Sequence, residues 1–278
     1  MPTAANPKIL ATSDNTLTVV SIAALAFVIA DLAHEGVGHG FGFYFAGGHS
    51  CMLTTTRLIA WIKLPDPQWR MFDFGGPVGN LLIAMLSGLG LRFLRQRPVH
   101  LRFFLWLVMA FSLFWAFGYM IFCGVTGRGD WMALIEGTRF LVFGRIAFVL
   151  FGLLLYRTSI RLLTRELRRI WPADDAAASS RVSRLLRISY VSGGVIACAG
   201  AALDPWGPVE ILRSGALSSF GAAVGLLLIA RIFSASTENQ DLAPLPVYRH
   251  LAWILFATAA CLYYIAILGP GILMYLGN

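Results

Sequence analysis

The chain has 278 residues, 58% of them hydrophobic and 13% charged, with a mean hydropathy of +0.71. Soluble domains average about 45–50% apolar and about 25% charged residues, so this composition excludes an ordinary soluble domain and predicts a polytopic membrane protein. The formal net charge of +8 does not indicate a nucleic-acid partner, because the basic residues gather at the ends of apolar runs, as membrane topology favours. The four scattered cysteines form no C-x-x-C pair, which argues against a thiolate metal site or a disulfide framework.

The apolar runs predict an all-α fold of about seven transmembrane helices, with a short membrane-associated β segment after the first. Residues 1–16 are polar, and they are not expected to form a removable signal peptide. The predicted spans cover residues 17–46, 73–93, 101–125, 140–156, 187–203, 216–233 and 250–276.

Two connecting segments shape the predicted organisation. Residues 47–70 are rich in Thr and Ile and partly alternate, which predicts one or two short strands ending at Pro65 and Pro67. A polar stretch beginning at Pro172 reads as a linker. It divides a predicted transmembrane core, residues 1–170, from a C-terminal transmembrane bundle, residues 181–278.

The first span carries a cluster of ionisable residues near its end, Asp31-Leu32-Ala33-His34-Glu35-Gly36-Val37-Gly38-His39. Ionisable groups are costly to place inside a membrane, so they indicate function by default. Zinc hydrolases hold their metal with two histidines and use the adjacent glutamate as general base, in the pattern H-E-x-x-H on one helix face. The alternative is a pair of helix-packing histidines beside a buried glutamate.

The second histidine comes one residue late for a regular helix. Five steps of about 100° leave two side chains about 140° apart, so an ideal α-helix would point His34 and His39 in different directions. A π-bulge, which adds one residue to a turn, would bring them to the same face. Gly36 and Gly38 make such a distortion easy, so the first span is predicted to be irregular here.

A second polar motif, Gly76-Pro77-Val78-Gly79-Asn80, is expected to open the second span, which begins at Asp73. Small residues at this position would permit close approach of another helix. Asn80 is expected to point into the protein, where it would either make an interhelical hydrogen bond or orient a substrate.

Together the two motifs resemble those of the site-2 protease family of intramembrane zinc metalloproteases, which carry H-E-x-x-H on one span and G-P-x-x-N at the start of a later one. The longer spacing from His34 to His39 resembles the H-E-x-x-G-H zinc motif of the dipeptidyl peptidase III family, whose fold is soluble and different. The resemblance to site-2 proteases covers about residues 17–140. It implies a Zn²⁺ cofactor, a membrane-embedded protein or peptide as substrate, and hydrolysis of a peptide bond.

The resemblance implies His34 and His39 as zinc ligands and a downstream aspartate as the third. The family's usual L-D-G segment is absent, so Asp130 is assigned because it follows a span that ends on the same membrane face as the motif. Asp73 and Glu136 remain alternatives. Two imidazoles, a carboxylate and a water would complete the open four-coordinate site of a catalytic zinc.

Further roles follow from the chemistry and position of neighbouring residues. Glu35 would take a proton from water and pass it to the leaving amine. Asn80 would contact the substrate, and Asp31 would either orient an imidazole from behind the ligands or bond to a neighbouring helix. The strand segment, residues 48–64, would pair with the substrate as an added strand, since a helical peptide hides its carbonyl groups.

The distribution of Lys and Arg predicts an orientation in the membrane. Six of the 22 basic residues lie on the face of the motif, fifteen lie on the opposite face and Arg145 lies within a span. The positive-inside rule therefore places the N-terminus in the cytoplasm, here of a bacterial inner membrane, and the site on the outer face. Site-2 proteases carry their metal nearer the cytosol, so the charge pattern and the resemblance conflict.

Two other classes of function use the same cluster. A zinc-dependent lipid amidase or other membrane hydrolase would share the ligands and the base and differ in its substrate groove. A non-catalytic membrane protein would use the cluster as a structural or sensing metal site.

Overall fold

The computed structural model of the protein describes residues 14–61, 65–171, 176–234 and 246–275. Within these ranges, seven helical segments are long and apolar enough to cross a membrane, which confirms the predicted all-α polytopic membrane fold. The α-helices are α1 (Thr16–Leu32), α2 (Gly40–Phe45), α3 (Asp66–Phe93), α4 (Val99–Thr126), α5 (Leu141–Ile170), α6 (Ala176–Ala201), α7 (Gly225–Ser234) and α8 (Leu251–Tyr263). Three π-helical segments cover Ala33–His39, Ile211–Phe220 and Tyr264–Leu268, and a 3-10 turn covers Asp130–Leu134.

Helix α1 lies at the centre of the bundle, where it packs against α4, α6 and α8. Asn15 caps its N-terminus by accepting a hydrogen bond from the backbone N–H of Thr18 at 2.9 Å. Its side chains are mostly small or apolar and mostly buried, and Phe27 meets Phe111 and Trp115 edge-on. The first span is therefore shielded from lipid along most of its length.

The predicted β segment is present, and it is completed from the other end of the chain. Strands β1 (Ser50–Leu53) and β2 (Leu58–Ala60) form an antiparallel hairpin. A third strand, β3 (Ile272–Tyr275), pairs with the other edge of β1, which gives the order β2-β1-β3. The sequence predicted a span continuing to residue 276, but the helical segment ends at Leu268 and the chain turns at Gly271. Because β1 is paired on both sides, the open edge within residues 48–64 belongs to β2.

Helix α3 begins earlier than predicted, at Asp66 rather than at Asp73. Pro65 and Pro67 flank this start, and proline fits the first turn of a helix because that turn has no use for its missing N–H. The Gly-Gly-Pro segment consequently lies inside α3 instead of opening it. Its glycines allow α3 to approach the first span closely, since a Cβ at Gly75 or Gly79 would collide with a backbone carbonyl of the π-helical segment.

The C-terminal helices are tied to the first span by Asp14. Its carboxylate accepts hydrogen bonds from Arg181 at 2.6 and 2.5 Å and from the backbone N–H of Val247 at 2.9 Å. Burial works to raise the pKa of this carboxyl, but Arg181, the Val247 N–H and Arg184 together outweigh burial and hold the pKa below its usual value. Asp14 therefore joins the start of α1 to α6 and to the segment before α8.

Candidate metal centre

The π-helical segment Ala33–His39 carries His34, Glu35 and His39 on one turn. A π turn closes its hydrogen bonds between residues five apart, so it brings side chains at five-residue spacing above one another. The two imidazole rings lie edge to face with their centroids 4.9 Å apart. The predicted irregularity of the first span is confirmed, and the extra residue in the motif is absorbed by this segment.

Asp130 joins the two histidines from the 3-10 turn after α4. Its Oδ2 atom lies 3.0 Å from Nε2 of His34 and 3.3 Å from Nε2 of His39. Two atoms that each lie about 2.0–2.1 Å from a tetrahedral zinc are about 3.3 Å apart, so these separations suit one ion. Candidate ligand atoms of His34, Glu35 and His39 also lie within 4.8 Å of one another.

The Asp130 carboxyl is held as an anion. Burial works to raise its pKa, but the nearby imidazoles of His39 and His34 lower it well below its usual value. A carboxylate in this state offers a lone pair to a cation. Of the two alternatives for this position, Asp73 also lines the cavity, whereas Glu136 is exposed.

One face of α3 orients the imidazoles through residues spaced four apart, Phe72, Gly76 and Asn80. The Nδ1–H of His39 donates to the Phe72 carbonyl at 2.9 Å. A carbonyl can only accept, so Nδ1 of His39 carries the proton and Nε2 is the atom that faces Asp130. This arrangement is typical of metal-binding histidines, which donate their second N–H to an acceptor outside the site.

Asn80 makes the matching contact to the other imidazole. It is fully buried, and its side-chain amide lies 3.0 Å from Nδ1 of His34. The amide nitrogen faces Nδ1, while Oδ1 is buried and has no hydrogen-bond partner within the described part of the chain. A 180° flip of the amide would let Oδ1 accept from Nδ1–H and would leave the Nε2 lone pair for a cation shared with Asp130. Asn80 therefore lies behind His34 and makes an interhelical contact, which is one of the two roles expected for it, and it does not line the cavity.

Gly76 leaves space beside the ligand atoms. A Cβ at this position would lie 2.5 Å from Nε2 of His39 and 2.7 Å from Nε2 of His34, closer than real Cβ atoms come to neighbouring atoms. A glycine is thus required where α3 passes the two nitrogen atoms. The donor types, their spacing and this open space fit a zinc ion.

Glu35 lies next to the same group without joining it. Its Oε1 atom lies 4.0 Å from Nε2 of His34, and its Oε2 atom lies 4.0 Å from Nε2 of His39. The side chain is buried, and Oε2 has no hydrogen-bond partner among the residues that the structure describes. A buried carboxylate beside the ligands, with a free oxygen, is placed to accept a proton from a water in the cavity.

A cavity of about 290 Å³ opens onto these residues, and several of the residues that line it were not predicted from the sequence. Ser214, Ser218 and Ser219 line it from the π-helical segment Ile211–Phe220, and Tyr119 lines it from α4. The only available signal was three serines four and five positions apart in an otherwise apolar span. Residues of the C-terminal half therefore complete the cavity.

The turn between β1 and β2 forms another part of the wall and is anchored to the C-terminal half. Thr54 and Thr56 donate to the Asp204 carboxylate at 3.2 and 2.5 Å, and Arg57 pairs with Glu210. Buried carboxylates need such partners, because an unpaired charge away from water is costly. The turn is thereby fixed at the rim of the cavity.

Asp31 lines the cavity one turn before His34, but it does not contact the Nδ1 atom of either histidine. The Nδ1 atoms of the two imidazoles meet Phe72 and Asn80 instead. The Oδ2 atom of Asp31 is buried without a hydrogen-bond partner among the described residues, while the hydroxyl of Tyr264, in the π-helical segment that follows α8, donates to the Thr55 carbonyl at 3.3 Å. The two imidazoles are thus oriented from α3 and not by Asp31.

Comparisons of the chain with protein families, with curated proteins and with solved structures find no match in any of the three. Any functional assignment therefore rests on the geometry of the site.

Proposed function

We propose that the protein is a zinc-dependent hydrolase that cleaves peptide bonds within or beside the membrane. The observation that carries this proposal is the meeting of His34 Nε2, His39 Nε2 and Asp130 Oδ2 around one space, with Glu35 beside it, inside a membrane-spanning bundle. Four ionisable side chains gathered inside such a bundle need a compensating function. When bound, zinc would act as a Lewis acid that makes water a nucleophile near neutral pH and polarises a carbonyl.

The other steps of the proposed reaction are assigned to residues of the chain. His34, His39 and Asp130 hold the ion, while the Phe72 carbonyl and Asn80 keep both imidazoles in the binding orientation. Glu35 takes a proton from the attacking water and delivers it to the leaving amine. The serine and threonine hydroxyls around the cavity solvate the polar peptide group that enters.

A substrate segment would enter in extended form along β2. This strand carries the open edge of the sheet at the hairpin side, and Leu58, its first residue, lines the cavity. Pairing with an edge strand holds a peptide extended and exposes its carbonyl groups to attack. A helical peptide would hide its carbonyl groups, so the extended form is the one open to hydrolysis.

The proposal includes an orientation, with the N-terminus in the cytoplasm of a bacterial inner membrane and the cavity toward the outer face. The support is the concentration of arginines at the far end of the bundle, where α3 ends, α4 begins and α5 extends to Ile170. Labelling of single cysteines in intact cells measures it directly. A cysteine introduced at the exposed position Arg161 should not react with an impermeant reagent added outside the cell. Reaction there would show that the orientation is the opposite of the one proposed.

The test of the hydrolase uses purified protein in liposomes, fluorescent transmembrane peptides and metal analysis of each variant. The wild type is expected to hold about one zinc per chain and to cleave peptide. Glu35→Gln should keep the zinc and lose about 10²- to 10⁴-fold in rate, the usual contribution of a general base. Glu136→Gln, which changes an exposed carboxyl outside the cavity, is the matched control and should retain both properties.

Three outcomes contradict the proposal. Zinc content that is unchanged in the His34→Ala, His39→Ala double variant removes the metal site. Cleavage of lipid amides without cleavage of peptides assigns the site to a lipid amidase. Full biological activity of Glu35→Gln assigns it to a protein that binds metal without catalysis.

A further inference from the structure

At the end of the bundle remote from the metal centre, four arginines surround a cavity of about 280 Å³, here called the arginine cavity. It lies where α3 ends, α4 begins and α5 reaches its last turns. Its charged side chains are Arg92, Arg95, Arg102, Arg169 and Glu166. With four positive groups and one negative, the cavity carries an excess of positive charge.

The contacts inside the arginine cavity leave this excess available. Glu166 forms a salt bridge with Arg169, with its Oε1 atom 2.6 Å from Nη1 of the arginine. Arg102 donates one terminal N–H group to the Arg169 carbonyl at 2.8 Å, yet its Nε is buried without a hydrogen-bond partner in the described part of the chain. A buried guanidinium donor that lacks an acceptor is costly, and a phosphate or carboxylate oxygen would satisfy it.

A second cavity, of about 320 Å³, adjoins the first, and we call it the apolar groove. Arg92 and Glu166 line both, so the two spaces share a wall. The groove runs between α3, α4 and α5 toward the middle of the bundle. Its apolar lining is formed by Leu81, Met85, Leu89, Met109, Leu113 and Leu162. Met85, Leu89 and Leu162 are also exposed on the surface of the bundle, where lipid would surround them.

We propose that the arginine cavity and the apolar groove together bind one anionic membrane phospholipid. Its phosphate lies among the arginines, and one acyl chain follows the groove along the spans. Arginine clusters between transmembrane helices at the basic face of a membrane protein suit lipid phosphates, because the guanidinium group donates two parallel hydrogen bonds to phosphate oxygens. The apolar groove favours a lipid over free phosphate, since a soluble anion would leave that surface unfilled.

The test measures binding to purified protein in an uncharged detergent by native mass spectrometry, supported by thermal shifts. The probes are phosphatidylglycerol, zwitterionic phosphatidylcholine and the soluble headgroup analogue glycerol 3-phosphate. The wild type is expected to bind phosphatidylglycerol and to prefer it over both other probes. Double replacement of the exposed arginines, Arg92→Gln with Arg95→Gln, should weaken binding about 30-fold, roughly fivefold for each charge removed.

The matched control removes the same charge from the outer face of α5, with Arg161→Gln and Arg165→Gln, whose side chains are exposed and line neither cavity. It should bind phosphatidylglycerol as the wild type does. A second variant, Gly88→Leu, fills the groove and should weaken phosphatidylglycerol binding without changing the weak binding of glycerol 3-phosphate.

Equal losses in both arginine variants would show general attraction of anionic lipid to a basic surface and would overturn the proposal. Equal affinity for phosphatidylglycerol and phosphatidylcholine would overturn the role of the arginines. Equal affinity for glycerol 3-phosphate and phosphatidylglycerol would overturn the role of the groove. Lipid binding is read without any hydrolysis assay, so each of these results is independent of the proposed function.

Discussion

Replacing Gly76 by alanine tests the metal centre with a single methyl group. The added Cβ would lie 2.5 Å from Nε2 of His39 and 2.7 Å from Nε2 of His34, whereas ordinary van der Waals contact begins at 3.4 Å. Relief of the clash requires the rings and the Cβ to separate by about 0.9 and 0.7 Å. Zinc sites tolerate deviations of only about 0.2 Å in ligand distance, so the two imidazoles could no longer share one ion.

Loss of a group behind a ligand usually lowers metal affinity by about 10- to 100-fold. Displacement of the ligand atoms themselves should exceed this, so we expect Gly76→Ala to lower zinc affinity by more than about 100-fold. The assay is competition with a chromophoric chelator, on protein checked for its helical circular dichroism. Gly88→Ala is the control on the same helix, because its Cβ would meet only the flexible Met109 sulfur at 3.2 Å. Wild-type zinc affinity in Gly76→Ala would refute the placement of the ion between these nitrogen atoms.

Three further predictions concern other residues. Asn80→Ala should lower zinc affinity by about 10- to 100-fold while leaving zinc bound at saturation, as measured by chelator competition; an unchanged affinity would remove its role as acceptor. Asp130→Ala should lower zinc content, and Asp73→Ala should not; the reverse result in metal analysis would transfer the third ligand to Asp73. Asp14→Asn should destabilise the protein by about 1–3 kcal/mol in thermal unfolding in detergent, because Arg181 loses its charged partner. The pKa of Asp14 is lowered in the folded state, so this contribution is present above about pH 4 and is lost as the pH falls through the folded value; a difference that persists unchanged at lower pH would contradict the reason.

The sequence predicted the spans well because twenty apolar residues in a row have few other uses. The irregular turn was also predictable, since the spacing of His34 and His39 is incompatible with convergence on a regular helix. Both inferences depend only on residues that are close together in the sequence, so the spacing of those residues is enough to make them.

Features that depend on distant partners could not be predicted in the same way. The strand at residues 272–275 continues an apolar run, and only its pairing with β1 distinguishes it from a helix end. The sequence does not indicate whether Asn80 faces a substrate or a histidine, because that depends on which face of α3 packs against the first span. The serines of residues 214–219 reach the cavity only through the packing of helices far apart in the chain.

The pairing of β1 with β3 also determines how late in synthesis the sheet can be completed. Ser50 is paired with Tyr275, which the ribosome adds 225 residues later. At about 5–20 residues per second, that interval lasts roughly 10–45 s. During it the histidine-bearing span is already made, while the sheet beside the cavity lacks one of its three strands. The outer edge of β1 therefore stays unpaired until β3 has been synthesised, and the sheet reaches its three-stranded form only at that late stage.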